Sequence, residues 1–396
     1  MQNFKLNETE ILSNQDWTFP TNTAYGPGRF KEIGDQCNKF GIRNPLIVTD
    51  NGSTKLPFIN ELKELLFKAN IKSDLFSEIS PNPREDEISA GCKKYKNGNH
   101  DSIIAIGGGS AMDGGKLICL TANNDIPLRD FEFELTPPKI SKDNPFPKII
   151  TIPTTAGTGA ETEITAMVTY LKEGMKFCMW HPDVRPVLAL VDPELTLGLP
   201  SSLTAWTGVD AMVHAIEGYC VPGFHPLCDG SALESLSLIS KSLYLAVEEP
   251  KNLIARGGMH IGSYLGGVAF LKGLGNVHSI SHMVGAEFNT QHGLTNAIIL
   301  PVVLKYNLYD MDEKVKRMSE AMQFKDHSIG SFINNIEKML DRLQIPKSLS
   351  EIGVTEDCVD RIAEKAMKDQ AYATNPKKAS YEDMKEMVMQ SIKKAR

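Results

Sequence analysis

The sequence of 396 residues has neither an excess of basic charge nor a long apolar run. Its 42 Lys and Arg stand against 49 Asp and Glu, so the net charge at pH 7 is −7. This balance argues against a nucleic-acid partner, because such proteins usually present a basic surface. No stretch approaches the roughly 20 apolar residues of a membrane-spanning helix, and the N-terminal stretch lacks the basic and apolar regions of a secretion signal. The sequence therefore predicts a cytoplasmic protein with no membrane partner.

Paired cysteines are also lacking. The seven cysteines are odd in number, scattered, and without a C-x-x-C spacing: Cys37, Cys92, Cys119, Cys178, Cys220, Cys228 and Cys358. Such a set indicates reduced thiols in a cytosol and excludes a disulfide framework or a zinc ribbon.

The chain is too long for one ordinary core, so two domains are expected. In the first half, short apolar runs alternate with amphipathic stretches, here 56–70 and 84–96. This alternation predicts an α/β domain with a parallel sheet over residues 1–198. Its predicted strands are 45–50, 72–76, 102–109, 148–153 and 187–193.

From residue 199 onward the pattern changes to long helical stretches with few strand candidates, which predicts a helical domain over residues 199–396. Ser201 or Ser202 is expected to cap the first of these helices, because a serine side chain can accept a hydrogen bond from a free backbone N–H.

A glycine-rich turn follows the apolar run 102–106, with Gly107, Gly108 and Gly109 directly before Ser110. Glycines at such a turn let backbone N–H groups approach a phosphate, and a following helix adds the positive end of its dipole. The turn is not a G-x-G-x-x-G fingerprint, because Met112 occupies the last glycine position. A tight strand-to-helix turn without a ligand is an equally good interpretation.

A second turn of the same domain carries clustered hydroxyls and glycines after the run 148–153. Its residues are Thr154, Thr155, Gly157, Thr158 and Gly159. Ligands of parallel sheets usually bind at the carboxyl ends of the strands. Two such turns together favour a bound nucleotide.

Asp50 ends the first predicted strand and is followed by Asn51 and Gly52. An acid near the end of an early strand can accept hydrogen bonds from ribose hydroxyls and repel the 2′-phosphate of NADP. The alternative is an ordinary turn aspartate, the commoner role for this tripeptide.

Acidic and imidazole side chains recur at metal-ligand spacing in the second half. Asp210 and His214 are four residues apart, as are His278 and His282, and His292 lies fourteen after His278. Residues four apart share a helix face. Imidazoles with a carboxylate suit Zn²⁺ or Fe²⁺. Six of the nine histidines lie in this stretch: His214, His225, His260, His278, His282 and His292. The joint pattern favours a metal site over isolated core histidines.

Four motifs together resemble the iron-dependent (group III) alcohol dehydrogenases. They are GGGSAMDGGK (107–116), PTTAGTGAE (153–161), GVDAMVHAIEGY (208–219) and GNVHSISHMVGAEFNTQHGLTNA (275–297). The match runs in order from about Tyr25 to Asn307. It implies a dehydroquinate-synthase-like fold, in which an α/β dinucleotide-binding domain precedes an all-α domain.

The resemblance implies an NAD-dependent oxidoreductase that transfers a hydride between NAD(H) and a small alcohol, diol or hydroxy acid. Fe²⁺ is the implied metal, with Zn²⁺ as the alternative, and a homo-oligomer, a dimer or higher, is implied. Two other functions stay open: a polyol (glycerol-type) dehydrogenase or lyase on the same fold, and a non-catalytic nucleotide- or metal-binding protein.

The family's residues carry over motif by motif. Its four metal ligands match Asp210, His214, His278 and His292. The histidine close to the metal without being a ligand matches His282, which is predicted either to relay a proton or only to orient the ligands. The implied cofactor-binding residues are Asp50, Gly107, Gly108, Gly109, Ser110, Asp113, Thr154, Thr155, Thr158 and Lys176.

Two positions depart from the family. Glu163 is an acid where many relatives carry Thr or Ser, so it receives no role. His181 stands where lactaldehyde-reductase-like members carry an acid, which weakens a transfer of their substrate preference.

Overall fold

The computed structural model of the chain describes residue 12, residues 15–18 and residues 21–396. It divides into two compact units. Residues 21–155 and 160–198 belong to an α/β unit, whereas residues 199–396 belong to a helical unit together with the short segment 156–159. The predicted combination of an α/β domain and an all-α domain is confirmed.

The α/β unit contains a mostly parallel sheet of seven strands among the described residues, in the order β1-β2-β9-β6-β5-β3-β4. The pair β1–β2 is antiparallel and the other neighbours are parallel. Strands β7 and β8 form a separate antiparallel hairpin. The strands are β1 (Gln15–Thr18), β2 (Asn22–Tyr25), β3 (Pro45–Asp50), β4 (Asp74–Ile79), β5 (Ser102–Gly107), β6 (Lys148–Pro153), β7 (Thr165–Tyr170), β8 (Met175–Trp180) and β9 (Leu188–Val191).

Helices cover both faces of this sheet, which is why its central strands are continuous apolar runs. Successive side chains of a strand point to opposite faces, and accordingly Leu46 and Val48 pack in one core whereas Ile47 packs in the other. The helices of this unit are α1 (Ile33–Phe40), α2 (Pro57–Lys68), α3 (Glu85–Asn97) and α4 (Gly109–Ala122).

Two predicted strands, 45–50 and 148–153, have the bounds of β3 and β6. The predicted run 72–76 is displaced toward the C-terminus in β4, and the runs 102–109 and 187–193 end earlier as β5 and β9. The short strands β1 and β2 and the hairpin were not predicted. In β7 and β8 no clear alternation of polar and apolar residues marks a strand.

The helical unit is centred on its first long helix, whose residues 207–220 are all buried. A helix that is buried on every side occupies the middle of a bundle. The helices are α5 (Ser201–Cys220), α6 (Pro226–Glu248), α7 (Leu253–Ala269), α8 (Asn276–Phe288), α9 (His292–Asn307), α10 (Asp312–Ala321), α11 (Ile329–Arg342), α12 (Val359–Ala366), α13 (Gln370–Thr374) and α14 (Tyr381–Lys393). None of the helices in the described part of the chain is both long and apolar enough to cross a membrane.

The predicted serine cap of α5 is wrong. Pro200 occupies the N-cap position, where no side chain caps the helix. Ser201 is already the first helical residue, and its hydroxyl donates to the carbonyl of Val247 at 3.1 Å. Because Pro200 takes the N-cap position, Ser201 lies inside α5, and its hydroxyl instead links α5 to α6.

Candidate active site

The four predicted ligands converge inside the helical unit. Asp210 and His214 lie one turn apart on α5, His278 lies on α8, and His292 begins α9. One ligand atom of each lies within 4.8 Å of the ligand atoms of the other three. The first three side chains are buried and His292 is partly buried. Three helices therefore bring one carboxylate and three imidazoles to a single point.

Hydrogen bonds on the far side of two rings orient them toward this point. His214 donates from Nδ1 to the carbonyl oxygen of Gly157 at 3.2 Å. His278 donates from Nδ1 to Oε2 of Glu217 at 2.6 Å. Each ring therefore keeps a lone pair on Nε2. Burial lowers the pKa of His214 to about 4, so this imidazole is neutral and able to bind a metal at pH 7.

The contacts of the Asn296 side chain show that the cluster is rich in hydrogen-bond acceptors. Its Nδ2 lies 2.7 Å from Oδ1 of Asp210 and 3.1 Å from Nε2 of both His278 and His292. An amide has two N–H groups, so it cannot satisfy three acceptors at once. A divalent cation satisfies all of them. The donor set, three imidazole nitrogens and a carboxylate, fits Fe²⁺ or Zn²⁺.

His282 lies beside the four-residue cluster and outside it. Its ring is stacked on that of His292 with a centroid separation of 5.6 Å, and it lies 5.7 Å from the ring of His278. It donates from Nδ1 to Oδ2 of Asp369 at 2.9 Å. The structure therefore places the His282 ring next to the cluster, whereas the four grouped ligand atoms belong to the other residues.

The remaining two histidines of the predicted stretch serve elsewhere. His225 caps α6, where its Nδ1 accepts a hydrogen bond from the backbone of Cys228 at 3.2 Å. His260 is fully buried on α7, and neither ring nitrogen has a hydrogen-bond partner among the described residues. Burial lowers its pKa to about 3. Membership of the histidine-rich stretch therefore does not by itself place a histidine at the site.

In the α/β unit, the ends of β3, β5 and β6 meet at Gly107. This residue has φ 146°, and a Cβ there would lie 2.7 Å from Cβ of Ala111 and 2.9 Å from Oδ2 of Asp50. Such a contact is too short for a side chain, so glycine is required. Thr154 donates from its backbone N–H to the carbonyl of Gly107 at 2.9 Å. The structure thus brings Asp50 and Thr154 to the glycine turn.

The contacts of Asp50 match its interpretation as a turn residue. Its Oδ1 accepts from the backbone of Ser53 at 2.9 Å, and its Oδ2 accepts from the Ser53 hydroxyl at 2.8 Å. The same carboxylate lies against the backbone of Gly107. The two roles weighed for Asp50 are therefore compatible.

The remaining residues of the glycine turn surround the start of α4. Gly108 occupies the N-cap position, and Gly109 and Ser110 open the helix. A Cβ on Gly108 would lie 3.6 Å from Cγ2 of Thr155. Thr158 belongs to the short segment that groups with the helical unit.

Asp113 on α4 lies in a buried network of charges. Lys116 holds its Nζ 3.9 Å from Oδ1 of Asp113 and 3.9 Å from Oε1 of Glu163. Burial raises the pKa of Asp113 to about 6. Burial also raises the pKa of Glu161 and of Glu163 to about 7. Lys176 on β8 is buried as well.

His181 has a structural environment. Its Nε2 donates to the carbonyl of Pro138 at 3.0 Å and its Nδ1 accepts from the backbone of Asp183 at 3.1 Å. Its ring packs 4.8 Å from that of Phe146. Both nitrogens are used, so the side chain stabilises the loop around it.

Three residues that contact the predicted ligands or His282 were not predicted from the sequence: Glu217, Asn296 and Asp369. Sequence features could have indicated two of them. Glu217 is an acid inside the apolar helix that carries His214, and Asn296 lies one turn after His292. No sequence feature indicated Asp369, since it lies 87 residues from its partner His282.

Comparison with known proteins assigns the family. A family model described as iron-containing alcohol dehydrogenase matches residues 20–193, and one described as Fe-containing alcohol dehydrogenase family, C-terminal, matches residues 204–392. The chain is 31% identical to an NAD-dependent methanol dehydrogenase of Bacillus methanolicus, over 94% of this chain and 98% of that protein. It is 34% identical to a 4-hydroxybutyrate dehydrogenase of Cupriavidus necator, over 92% and 96% respectively.

Similarity to a solved structure supports the same family assignment. The crystal structure of a 1,3-propanediol oxidoreductase is similar with a TM-score of 0.89 at 30% identity, over 96% of this chain and all of that one. The implied dehydroquinate-synthase-like fold and the enzyme class are confirmed. The two models together span most of the sequence, and the chain belongs to the iron-containing alcohol dehydrogenase family.

Proposed function

We propose that this protein transfers a hydride between NAD(H) and a small alcohol, diol or hydroxy acid, with a divalent metal bound by Asp210, His214, His278 and His292. The observation that carries the proposal is the meeting of these four side chains, three of which face the amide nitrogen of Asn296. Three electron-rich atoms facing one amide nitrogen form a site that suits a cation.

The residues fit Fe²⁺, which the family name supports, and Zn²⁺ is the alternative. When bound, such an ion supplies Lewis-acid chemistry, which lowers the pKa of an alcohol and polarises a carbonyl group. In the cluster itself, the carboxylate of Asp210 and the Nε2 atoms of His278 and His292 already face one common point, the amide nitrogen of Asn296.

His282 is the proposed proton-transfer residue. Because Nδ1 donates to Asp369, Nε2 carries the lone pair and can accept a proton during alcohol oxidation. In aldehyde reduction the same atom returns a proton. The alternative role, orientation of the neighbouring ligands alone, predicts no change in the pH dependence of the rate when His282 is replaced.

For the cofactor, we propose that the glycine turn and the start of α4 hold the phosphates, because backbone N–H groups and a helix N-terminus favour anions. The nicotinamide supplies the hydride chemistry. Asp50 would accept from a ribose and select NAD over NADP. The remaining proposed cofactor residues are Asp113, Thr154, Thr155, Thr158 and Lys176. The NAD dependence of the methanol dehydrogenase relative supports this choice.

The named relatives act on methanol, 4-hydroxybutyrate and 1,3-propanediol, so the substrate class we propose spans all three. The test is a panel of aldehydes with NADH and of alcohols with NAD, run on protein stripped of metal and refilled with Fe²⁺ or Zn²⁺. Metal-dependent turnover of at least one small alcohol is expected. Binding of NAD with no turnover of any substrate in either metal form would contradict the proposal.

We also propose that the enzyme works as a homo-oligomer in the cytoplasm. The described cysteines are all free thiols, as a reducing compartment requires. Light scattering on the purified protein would test the oligomer, and a mass equal to one chain of 43.7 kDa would contradict it.

A further inference from the structure

Two carboxylates outside the ligand cluster each hold one imidazole of α8. Oε2 of Glu217 lies 2.6 Å from Nδ1 of His278, and Oδ2 of Asp369 lies 2.9 Å from Nδ1 of His282. All four side chains are buried. The two histidines lie one helical turn apart, so the same helix face carries two matched carboxylate–imidazole pairs.

The second oxygen of each carboxylate is also used. Oε1 of Glu217 accepts from the backbone N–H of Val277 at 2.8 Å, and Oδ1 of Asp369 accepts from the backbone N–H of Ala371 at 2.8 Å. A backbone N–H can only donate. Each carboxylate is therefore held by a backbone donor on one side and must accept from an imidazole on the other.

This arrangement decides which nitrogen of each ring carries the proton. A carboxylate oxygen accepts, so Nδ1 keeps its hydrogen and the lone pair lies on Nε2. For His278, Nε2 is the atom that lies 3.1 Å from Asn296 in the ligand cluster. A metal requires this lone pair, because ligating imidazoles bind as the neutral form and are oriented through their other nitrogen.

We propose that Glu217 and Asp369 are positioning residues that lock His278 and His282 in the same tautomer, Nδ1–H. This inference rests on the proposed metal site. The hydrogen bond from His278 to Glu217 leaves Nε2 of His278 free to bind the metal. The hydrogen bond from His282 to Asp369 leaves Nε2 of His282 free to transfer a proton. The two carboxylates then affect different steps although their local geometries are alike.

An amide in place of either carboxylate reverses the tautomer without changing the shape of the side chain. Glu217→Gln has one acceptor oxygen, which the backbone of Val277 requires, so its NH₂ group turns to His278. Nδ1 must then accept, and the proton moves to Nε2. Asp369→Asn acts on His282 in the same way, and asparagine still caps α13 well.

The first measurement is metal affinity, taken as the dissociation constant for Zn²⁺ in competition with a chelator. Glu217→Gln should weaken binding by about 10- to 100-fold, the usual effect of losing such a partner. Asp369→Asn should leave the constant unchanged. Asp229→Asn is the control, because it removes a carboxylate of the same unit whose ion-pair partner is Lys272 and not a histidine.

The second measurement reads the tautomers directly, from ¹⁵N chemical shifts of histidine-labelled protein. His282 should change from the Nδ1–H to the Nε2–H form in Asp369→Asn, with kcat falling and KM unchanged. His278 should change in Glu217→Gln. A variant that only loosened packing would lower the thermal midpoint without this spectroscopic change.

Two results would overturn the inference. One is a Glu217→Gln variant that binds Zn²⁺ with the wild-type dissociation constant and keeps the proton of His278 on Nδ1. The other is loss of metal in Asp369→Asn, which would remove the division of roles. His278→Ala separates these failures from failure of the proposed function: if that variant retains its metal, the ligand assignment itself is wrong. Should Glu217→Gln not fold, Asp369→Asn tests the tautomer argument independently.

Discussion

The buried side chains of Lys116 and Glu163 lie with Nζ and Oε1 3.9 Å apart, and Oδ1 of Asp113 lies at the same distance from the lysine nitrogen. Glu163 also accepts a hydrogen bond from the hydroxyl of Thr165. Burial nevertheless dominates, and it raises the pKa of Glu163 to about 7. The α/β unit therefore contains a carboxyl group that binds a proton more tightly when folded than when unfolded.

The first prediction is that Glu163→Gln flattens the dependence of stability on pH. A carboxyl pKa that is higher in the folded state contributes full stability below about pH 4, and this is lost as the pH rises to about 7. The wild-type thermal midpoint should fall between pH 5.5 and 8, by the equivalent of about 1–3 kcal/mol, and it should fall less in the variant.

Glu78→Gln is the matched control, because Glu78 is exposed on β4. Asp113 and Glu161 titrate in the same range, so a single substitution removes only part of the slope. Equal slopes in wild type and Glu163→Gln would show that the buried carboxyl does not bind the extra proton.

The second prediction is one divalent ion per chain, lost when His278 or His292 is replaced by alanine. Each variant removes one of the three proposed imidazole ligands, so metal content and activity should fall together while NAD binding persists. Elemental analysis and NAD titration measure the two effects. His225→Ala, outside the cluster, is the control. Full metal occupancy in both ligand variants would show that the assignment is wrong.

The third prediction separates His282 from the ligands. His282→Ala should retain its metal but lower kcat by about 100-fold or more, the usual size of a general acid–base contribution, and should change the pH dependence of the rate. Metal analysis and a pH–rate profile of the loaded protein decide the matter. If the variant loses metal as completely as His278→Ala, His282 is itself a ligand.

The fourth prediction is that Asp50 makes the enzyme prefer NAD(H). An ionised carboxylate accepts from the adenosine ribose but repels a 2′-phosphate, and about 1.4 kcal/mol of repulsion already gives a tenfold preference. Asp50→Gly should raise kcat/KM with NADPH far more than with NADH. Because Asp50 also holds Ser53, the comparison uses the ratio between the two cofactors. An unchanged ratio, or a wild type that already prefers NADPH, would rule out this role.

Local sequence patterns determined most of the fold and part of the site. The apolar runs of β3 and β6 were predicted with their observed bounds, because a strand covered by helices on both faces needs a continuous apolar stretch. The four-residue spacing of Asp210 and His214 likewise placed both side chains on one helix face. Such features depend on neighbours in the chain, so the sequence shows them directly.

Tertiary structure decided which histidines meet and what holds them. His260 and His278 both lie in the histidine-rich stretch of the sequence. Only His278 reaches Asp210, because α5, α8 and α9 pack together. Asp369 reaches His282 only because the start of α13 packs beside α8. Contacts between residues tens of positions apart follow from how helices pack against one another, and no local pattern of residues encodes that packing.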